Sequence, residues 1–142
     1  MKQSAMFTAL LGLGLASFFV RAQNHSSTRD GVYTDNQAER GADAYKTSCA
    51  SCHGAALEGS GAQNPALTGP DFLTNWSGQP LDELFEKIQS SMPADRPGSL
   101  SRTATAEIVA YILKANKFPA GKTGLPDDAG ALKQIQFDSP KQ

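Results

Sequence analysis

The sequence predicts an all-α protein with three main helices and long loops. Three segments, at 34–53, 80–91 and 101–117, carry apolar residues at the three- and four-residue spacing of an amphipathic helix. No segment shows the alternation of apolar and polar residues that is typical of a strand. The stretches between the helices are rich in glycine and proline, which favour turns. The length of 142 residues fits one domain.

We expect the first helix to begin at Thr34, because Thr34 and Gln37 have the spacing of a capping box. One face of this helix is small or aromatic: Ala38, Gly41, Ala42 and Tyr45. A glycine inside a helix costs roughly 1 kcal/mol relative to alanine, so Gly41 indicates close approach of another helix. The helix is expected to run into Cys49 and to end near His53.

Residues 54–79 are predicted to lack regular structure over most of their length. A loop this long is unusual in a compact domain. A bound cofactor would remove the difficulty, because the loop could pack on the cofactor. The side chains available for that contact are Leu57, Leu67, Phe72, Leu73 and Trp76.

The second helix is predicted over residues 80–91. Pro80 suits the first turn, where a missing backbone N–H does no harm. Pro93 is expected to end this helix and to place Met92 in an extended conformation.

The third helix is predicted to start at Ser101 or Thr103 and to run to about Lys117. Residues 119–142 are then expected to form an extended tail. Four apolar side chains of this tail could lie along the surface: Leu125, Leu132, Ile135 and Phe137.

Residues 1–22 are predicted to be a signal peptide for export to the periplasm. Lys2 gives it a positive start, and residues 5–20 form an apolar run. An uncleaved membrane anchor is the alternative, but the run is shorter than the ~20 residues that a spanning helix needs. We expect cleavage after Ala22 and no stable membrane span afterwards. Residues 23–34 are polar and are predicted to form a flexible lead.

The charge pattern argues against nucleic acid as a partner. The formal net charge is −1 at pH 7, and the basic residues are scattered. Phosphate contacts need a basic face. A mildly acidic surface is compatible with a partner that has a basic docking patch.

Residues Cys49 to His53 read Cys-Ala-Ser-Cys-His, the attachment signature of a c-type haem. Cys49 and Cys52 can each add across one haem vinyl group, and His53 is then the proximal iron ligand. A disulfide is the main alternative in an exported chain. A zinc site is disfavoured because His53 adjoins Cys52, and a thioredoxin-like pair because no strand is predicted nearby.

Met92 is the candidate distal iron ligand. Cleavage after Ala22 would remove Met1 and Met6, leaving Met92 as the only methionine. A thioether opposite an imidazole suits haem iron. Methionine also fills gaps in protein cores, but the haem signature upstream favours the ligand interpretation. His25 in place of Met92 is a further alternative.

With these residues in place, the chain resembles the class I c-type cytochromes, a family of small monohaem electron carriers. The features that carry the resemblance are Gly41, Tyr45, Cys49-Ala50-Ser51-Cys52-His53-Gly54, Pro65-Ala66-Leu67, Met92-Pro93 and Ala110-Tyr111-Ile112-Leu113. They cover roughly residues 35–118, which the resemblance makes a cytochrome c domain. It implies one covalently bound haem c.

The resemblance also implies roles for residues around the haem. The carbonyl of Pro65 accepts the proton of the proximal imidazole, which strengthens His53 as an iron ligand. Leu67 packs against the haem face. Trp76 reaches a propionate, although a plain core aromatic is an equal alternative. The first and last helices are expected to cross at Gly41, Tyr45 and Tyr111.

More narrowly, Trp76 together with segments 92–100 and 118–121 resembles bacterial cytochromes that accompany quinoprotein dehydrogenases. The predicted function is therefore one-electron transfer rather than catalysis. The expected donor is a quinoprotein or similar dehydrogenase, and the expected acceptor is a terminal oxidase. The alternative is a haem enzyme or small-molecule sensor in which Met92 leaves the iron.

Overall fold

The computed structural model describes residues 26–140, which are mostly helical, as the sequence predicts. The predicted signal peptide and His25 lie outside the described residues. Within residues 26–140 the regular elements are β1 Ser26–Ser27, a short 3-10 helix Thr28–Asp30, α1 Asp35–Ser48, α2 Ala50–His53, α3 Pro70–Trp76, α4 Leu81–Ser91, α5 Arg102–Ala115, α6 Ala129–Leu132 and β2 Ile135–Gln136. None of these helices is both long enough and apolar enough to cross a membrane.

Helices α1 and α5 form the frame of the fold by packing closely against each other. A Cβ atom on Gly41 would lie 1.8 Å from the carbonyl oxygen of Glu107, so a larger residue could not sit at this crossing. The rings of Tyr45 and Tyr111 pack beside it with their centroids 5.3 Å apart. The close approach expected at Gly41 is therefore present.

The start of α1 agrees with the sequence, but its end differs. Thr34 caps the helix, and its Oγ1 accepts the backbone N–H of Gln37 at 3.3 Å. The Gln37 side chain is buried under the C-terminal segment, where it bonds both backbone groups of Leu125. Cys49 has φ −127° and ψ −33°, which ends α1 and starts the separate turn α2.

Helices α4 and α5 lie close to their predicted bounds. Pro80 is the residue before α4 rather than part of its first turn. Met92 is extended, with φ −122° and ψ 150°, as expected for a residue before proline. Ser101 caps α5, and its Oγ accepts the backbone N–H of Ala104 at 3.1 Å.

The long loop predicted over residues 54–79 contains one helix that the sequence did not reveal. Helix α3 begins with a proline and spans only seven residues, Pro70–Trp76. So short a helix shows two turns of periodicity at most, which is too little for a pattern. Its Phe72 is buried and fixes α3 to the core.

The C-terminal segment differs from the expected surface tail, because its apolar side chains are part of the core. Phe137 is 1% exposed and packs edge-on against Phe72 and Phe118, with centroid distances of 6.1 and 5.3 Å. Leu132 on α6 is fully buried. The segment packs on α3 through Phe72, and its α6 and β2 contact α4.

The described part of the predicted flexible lead, residues 26–34, is also packed against the fold. Strand β1 pairs with β2 in parallel, with Ser26 opposite Ile135. Tyr33 is 1% exposed, and its hydroxyl donates to the carbonyl of Phe118 at 2.7 Å. Burial, with a smaller contribution from Asp35, raises the pKa of Tyr33 to about 12. The two ends of the described chain thus hold each other against the helical frame.

Candidate haem-binding site

Helix α2 presents the Cys-Ala-Ser-Cys-His motif at the end of α1. The backbone N–H of Cys49 donates to Tyr45 at 2.8 Å, and that of His53 donates to Cys49 at 2.9 Å, so the motif is a helical turn. Cys49 is half-buried and Cys52 exposed, and both are free thiols. Burial, reinforced by the neighbouring Cys52, raises the pKa of Cys49 to about 11. Cys49 is therefore a neutral thiol at neutral pH.

The imidazole of His53 is oriented by Pro65. Its Nδ1 lies 2.8 Å from the Pro65 carbonyl oxygen. A carbonyl only accepts, so Nδ1 carries the proton and Nε2 keeps its lone pair for a metal. Such a hydrogen bond fixes the ring and makes the imidazole a stronger ligand.

The loop that delivers Pro65 is held tightly against the motif. The backbone N–H of Gly59 donates to the His53 carbonyl at 2.7 Å. Gly59 has φ +70°, and a Cβ there would lie 2.4 Å from the backbone nitrogen of Ala66. Ser60 Oγ donates to the Cys52 carbonyl at 3.1 Å. Only a glycine allows the loop to turn back this closely behind the imidazole.

Asn116 anchors the next part of this loop, although no sequence pattern marks it as a site residue. Its side-chain amide donates at 2.9 Å to the carbonyls of Leu67 and Ile112, and its oxygen accepts the N–H of Gly69 at 3.2 Å. Asn116 is buried at the end of α5, beyond the apolar stripe on which the helix was predicted. It thereby fixes the position of Leu67.

Met92 and His53 line the same two adjoining cavities. The larger cavity, of about 530 Å³, and the smaller, of about 390 Å³, share His53, Leu67 and Met92 as wall residues. Met92 is half-buried at the end of α4, and its peptide bond to Pro93 is cis. The structure therefore brings the candidate proximal and distal ligands to one space.

The remaining candidate residues divide between the two cavities. Cys49 and Cys52 line the smaller one, whereas Pro65 and Trp76 line the larger one. Trp76 is half-buried and packs on Phe72, with ring centroids 6.4 Å apart. Leu73, which the sequence placed among possible cofactor contacts, lines neither of these two cavities.

The residues present fit a covalently attached haem. Two thiols stand one helical turn apart at one end of the joined space. An imidazole with a free Nε2 and a thioether share its walls, and this donor pair is that of cytochrome c iron. His53 and Met92 would hold the iron, and Cys49 and Cys52 would hold the porphyrin through thioether bonds.

The all-α fold and this motif define a class I c-type cytochrome. The family described as cytochrome c oxidase, cbb3-type, subunit III matches residues 36–112, more than half of the chain, and the chain belongs to that family. The matched segment contains all seven site residues predicted from the sequence. No curated protein and no solved structure matches the chain. Membership of this family makes the protein an electron-carrying cytochrome rather than an enzyme.

Proposed function

We propose that this cytochrome is a periplasmic monohaem carrier that accepts single electrons from a quinoprotein or similar dehydrogenase and passes them toward a terminal oxidase. The observation that carries the proposal is the pair of cavities whose walls share His53 and Met92. With both axial positions occupied, iron can change oxidation state without binding a substrate. The chain then has to hold two ligands and exclude other small molecules.

The ligand roles rest on the way each side chain is presented. His53 keeps Nε2 available because Pro65 accepts the proton on Nδ1. Met92 follows the last turn of α4, and its backbone N–H donates to Ile88 at 3.0 Å. Leu67, fixed by Asn116, supplies apolar surface in the walls of both cavities. These contacts support a six-coordinate iron site.

The larger cavity would hold the propionates. Cys49 and Cys52, which would bond the vinyl groups at the opposite edge of the porphyrin, line the smaller cavity. Trp76 with its indole N–H and Lys87 with its ammonium line the larger cavity. Both groups can donate to a carboxylate.

Three observations support the proposed partners and location. The family description names a subunit of a cytochrome c oxidase, which supports an oxidase as electron acceptor. The resemblance of Trp76 and the segments 92–100 and 118–121 to cytochromes that accompany quinoprotein dehydrogenases supports such a donor. The leader over residues 1–22 supports periplasmic location.

The ligand assignment is tested with Met92→Leu, which keeps the side-chain volume but removes the sulfur. The exported protein is purified, its haem is quantified as the pyridine haemochrome, and the oxidised visible spectrum is recorded. We expect covalent haem in both proteins and a methionine–iron charge-transfer band only in the wild type. Leu73→Ala, a half-buried residue outside both cavities, is the matched control and should keep the band.

Two results would contradict the proposal at different levels. The absence of covalent haem would overturn the whole assignment. High-spin iron in the wild type, or tight cyanide binding to it, would replace the carrier with a haem enzyme or sensor. The partners need a separate measurement, in which the oxidised protein is mixed with purified quinoprotein dehydrogenase and substrate. Reduction no faster than that of a generic small cytochrome would argue against this donor.

A further inference from the structure

A single side chain connects both ends of the loop that follows Met92. Gln89 lies on α4, one turn before Met92. Its Nε2 donates to the carbonyl of Leu100 at 2.8 Å, and its Oε1 accepts from the hydroxyl of Thr105 at 2.9 Å. Leu100 ends the loop, and Thr105 lies in the first turn of α5. The amide thus joins the last turn of α4, the end of the loop and the start of α5.

Apart from these hydrogen bonds of Gln89, which we call the clamp, residues 93–100 are held by burial only at their two ends, where Pro93 is buried and Leu100 is half-buried against the core. Residues 94–99 are exposed. The backbone bonds within the loop are two turn bonds, from Arg96 to Pro93 at 2.9 Å and from Ser99 to Arg96 at 3.2 Å. Segments with exposed backbone bonds and few buried contacts are the ones that open locally at low cost.

The clamp is buried where it meets α5. Thr105 is fully buried, so its hydroxyl needs a partner inside the protein. It has one proton and lies 2.9 Å from Gln89 and 3.2 Å from the carbonyl of Ser101. Removing Gln89 leaves the Leu100 carbonyl without its side-chain donor and Thr105 without its shorter contact. Both losses act on the segment that carries Met92.

We infer that Gln89, supported by Thr105, is a positioning residue that holds Met92 on the iron and keeps the sixth coordination position closed to small molecules. The inference rests on the proposed function, in which Met92 is the distal ligand. The clamp stabilises the closed loop relative to an open one in which the thioether has moved away. In this way it favours the carrier over the sensor that a mobile Met92 would create.

The chain offers a matched control in Gln37. This glutamine is also part of a helix, α1, and also bonds a distant segment through both ends of its amide. Its Nε2 donates to Leu125 at 2.9 Å, and its Oε1 accepts the N–H of Leu125 at 2.7 Å. Gln37 lines neither of the two cavities. It therefore separates a general loss of hydrogen bonds from an effect on Met92.

The test compares the oxidised holoproteins of the wild type, Gln89→Ala and Gln37→Ala. Cyanide affinity and the methionine–iron charge-transfer band are measured at one pH, together with urea unfolding. We expect Gln89→Ala to bind cyanide about fivefold more tightly and to have a weaker band. Thr105 can still donate to the Ser101 carbonyl, so the net loss is one hydrogen bond, which shifts the opening equilibrium by about that factor. Gln37→Ala should lose stability in urea while its cyanide affinity stays at the wild-type value.

Thr105 provides a second pair of variants should Gln89→Ala fail to fold. Thr105→Val keeps the shape but removes the hydroxyl, and it should also tighten cyanide binding. Thr105→Ser restores the hydroxyl and should return the affinity to the wild-type value.

Three outcomes would overturn the inference. If Gln89→Ala and Gln37→Ala bind cyanide equally, the clamp has no special role, and the proposed function still stands. If Thr105→Val and Thr105→Ser have the same cyanide affinity, the clamp likewise has no special role, and the proposed function still stands. If the wild type itself shows no methionine–iron band, Met92 is not the ligand, and the proposed function fails together with the inference.

Discussion

The two sides of the proposed haem site are held by different means, with His53 as the proposed proximal ligand and Met92 as the proposed distal ligand. On the proximal side, His53 is a hydrogen-bond donor, and the Pro65 carbonyl fixes its ring directly at 2.8 Å. On the distal side, the thioether of Met92 is only a weak acceptor, so it cannot be oriented by donating a hydrogen bond. The backbone around Met92 must therefore be positioned instead, through α4 and Gln89. The proposed proximal ligand is thus held by a hydrogen bond to its own ring. The proposed distal ligand is held only by bonds to the neighbouring backbone.

The two loops also differ in how they are bonded to the rest of the fold. The proximal loop turns back on α2 at Gly59 and is tied to α5 by Asn116. The distal loop over residues 93–100 is exposed at residues 94–99, and the side-chain bond to its backbone comes from Gln89, which donates to the carbonyl of Leu100. Ligand exchange at such a site should begin on the Met92 side. The contrast between the two sides can be measured with changes directed at one side of the site or at neither.

The largest effect is expected from Asn116→Ala on the proximal side. This change removes three hydrogen bonds of a buried side chain and leaves the Leu67 carbonyl and the Gly69 N–H without partners. We expect a loss of about 3 kcal/mol in the free energy of unfolding, measured in urea. The exposed Asn75, replaced in the same way, should change stability by less than about 0.5 kcal/mol. Equal effects at the two positions would show that Asn116 does not anchor the loop.

A direct comparison of the two loops comes from Gly59→Ala and Gly98→Ala. Both glycines have positive φ, +70° and +72°, so alanine at either costs about 1 kcal/mol of backbone strain. At Gly59 the new Cβ would also lie 2.4 Å from the Ala66 nitrogen, whereas at Gly98 the nearest atom is 4.0 Å away. We expect Gly59→Ala to cost at least about 2 kcal/mol and Gly98→Ala about 1 kcal/mol in urea unfolding. A larger cost at Gly98 would reverse the contrast between the loops.

The sequence was sufficient for the parts of this site that depend on local pattern. Helical spacing and caps located α1, α4 and α5, and the proline after Met92 correctly predicted its extended backbone. The haem motif could be identified because its five residues are consecutive in the sequence. Gly41, unfavourable inside a helix, pointed to the crossing with α5 because no local benefit accounts for it.

What the sequence could not show are contacts between residues far apart in the chain. Gln89 and Asn116 look like ordinary polar residues on helix surfaces, and Gln37 looks like part of a capping box, yet each side chain bonds a distant backbone segment. The sequence predicts a surface tail for Phe137, because residues 118–121 end the third helix and no further element is predicted after them. Its burial depends on the surface left open by α3, a helix too short to be predicted.

An alkaline titration separates global stability from the opening of the distal side. Tyr33, which lies at neither side of the site, has a pKa raised to about 12 in the folded protein from an ordinary value of 10.0. Its raised pKa stabilises the folded state below pH 10, and this contribution is lost between pH 10 and 12 as the unfolded chain ionises first.

The stability at pH 11, relative to pH 8, should therefore fall less in Tyr33→Phe than in the wild type, by roughly 1 kcal/mol. The measurement is urea unfolding at both pH values. The pH at which the methionine–iron band disappears should be the same in both proteins. If the pH at which the band disappears shifts together with the stability in Tyr33→Phe, the distal side opens only with global unfolding.

The smallest expected effect tests the larger cavity, where Trp76 and Lys87 are proposed to face the propionates. Lys87 is an exposed lysine on α4 that lines this cavity. In Lys87→Gln, loss of its positive charge should favour oxidised iron and lower the reduction potential by about 30 mV, a roughly threefold change in the one-electron equilibrium. Lys87→Arg should restore the potential, and Lys122→Gln, which changes an exposed lysine outside both cavities, is the control. Equal shifts in spectroelectrochemical titrations of the two glutamine variants would show that Lys87 acts only as a distant surface charge, and would remove it from the propionate end of the site.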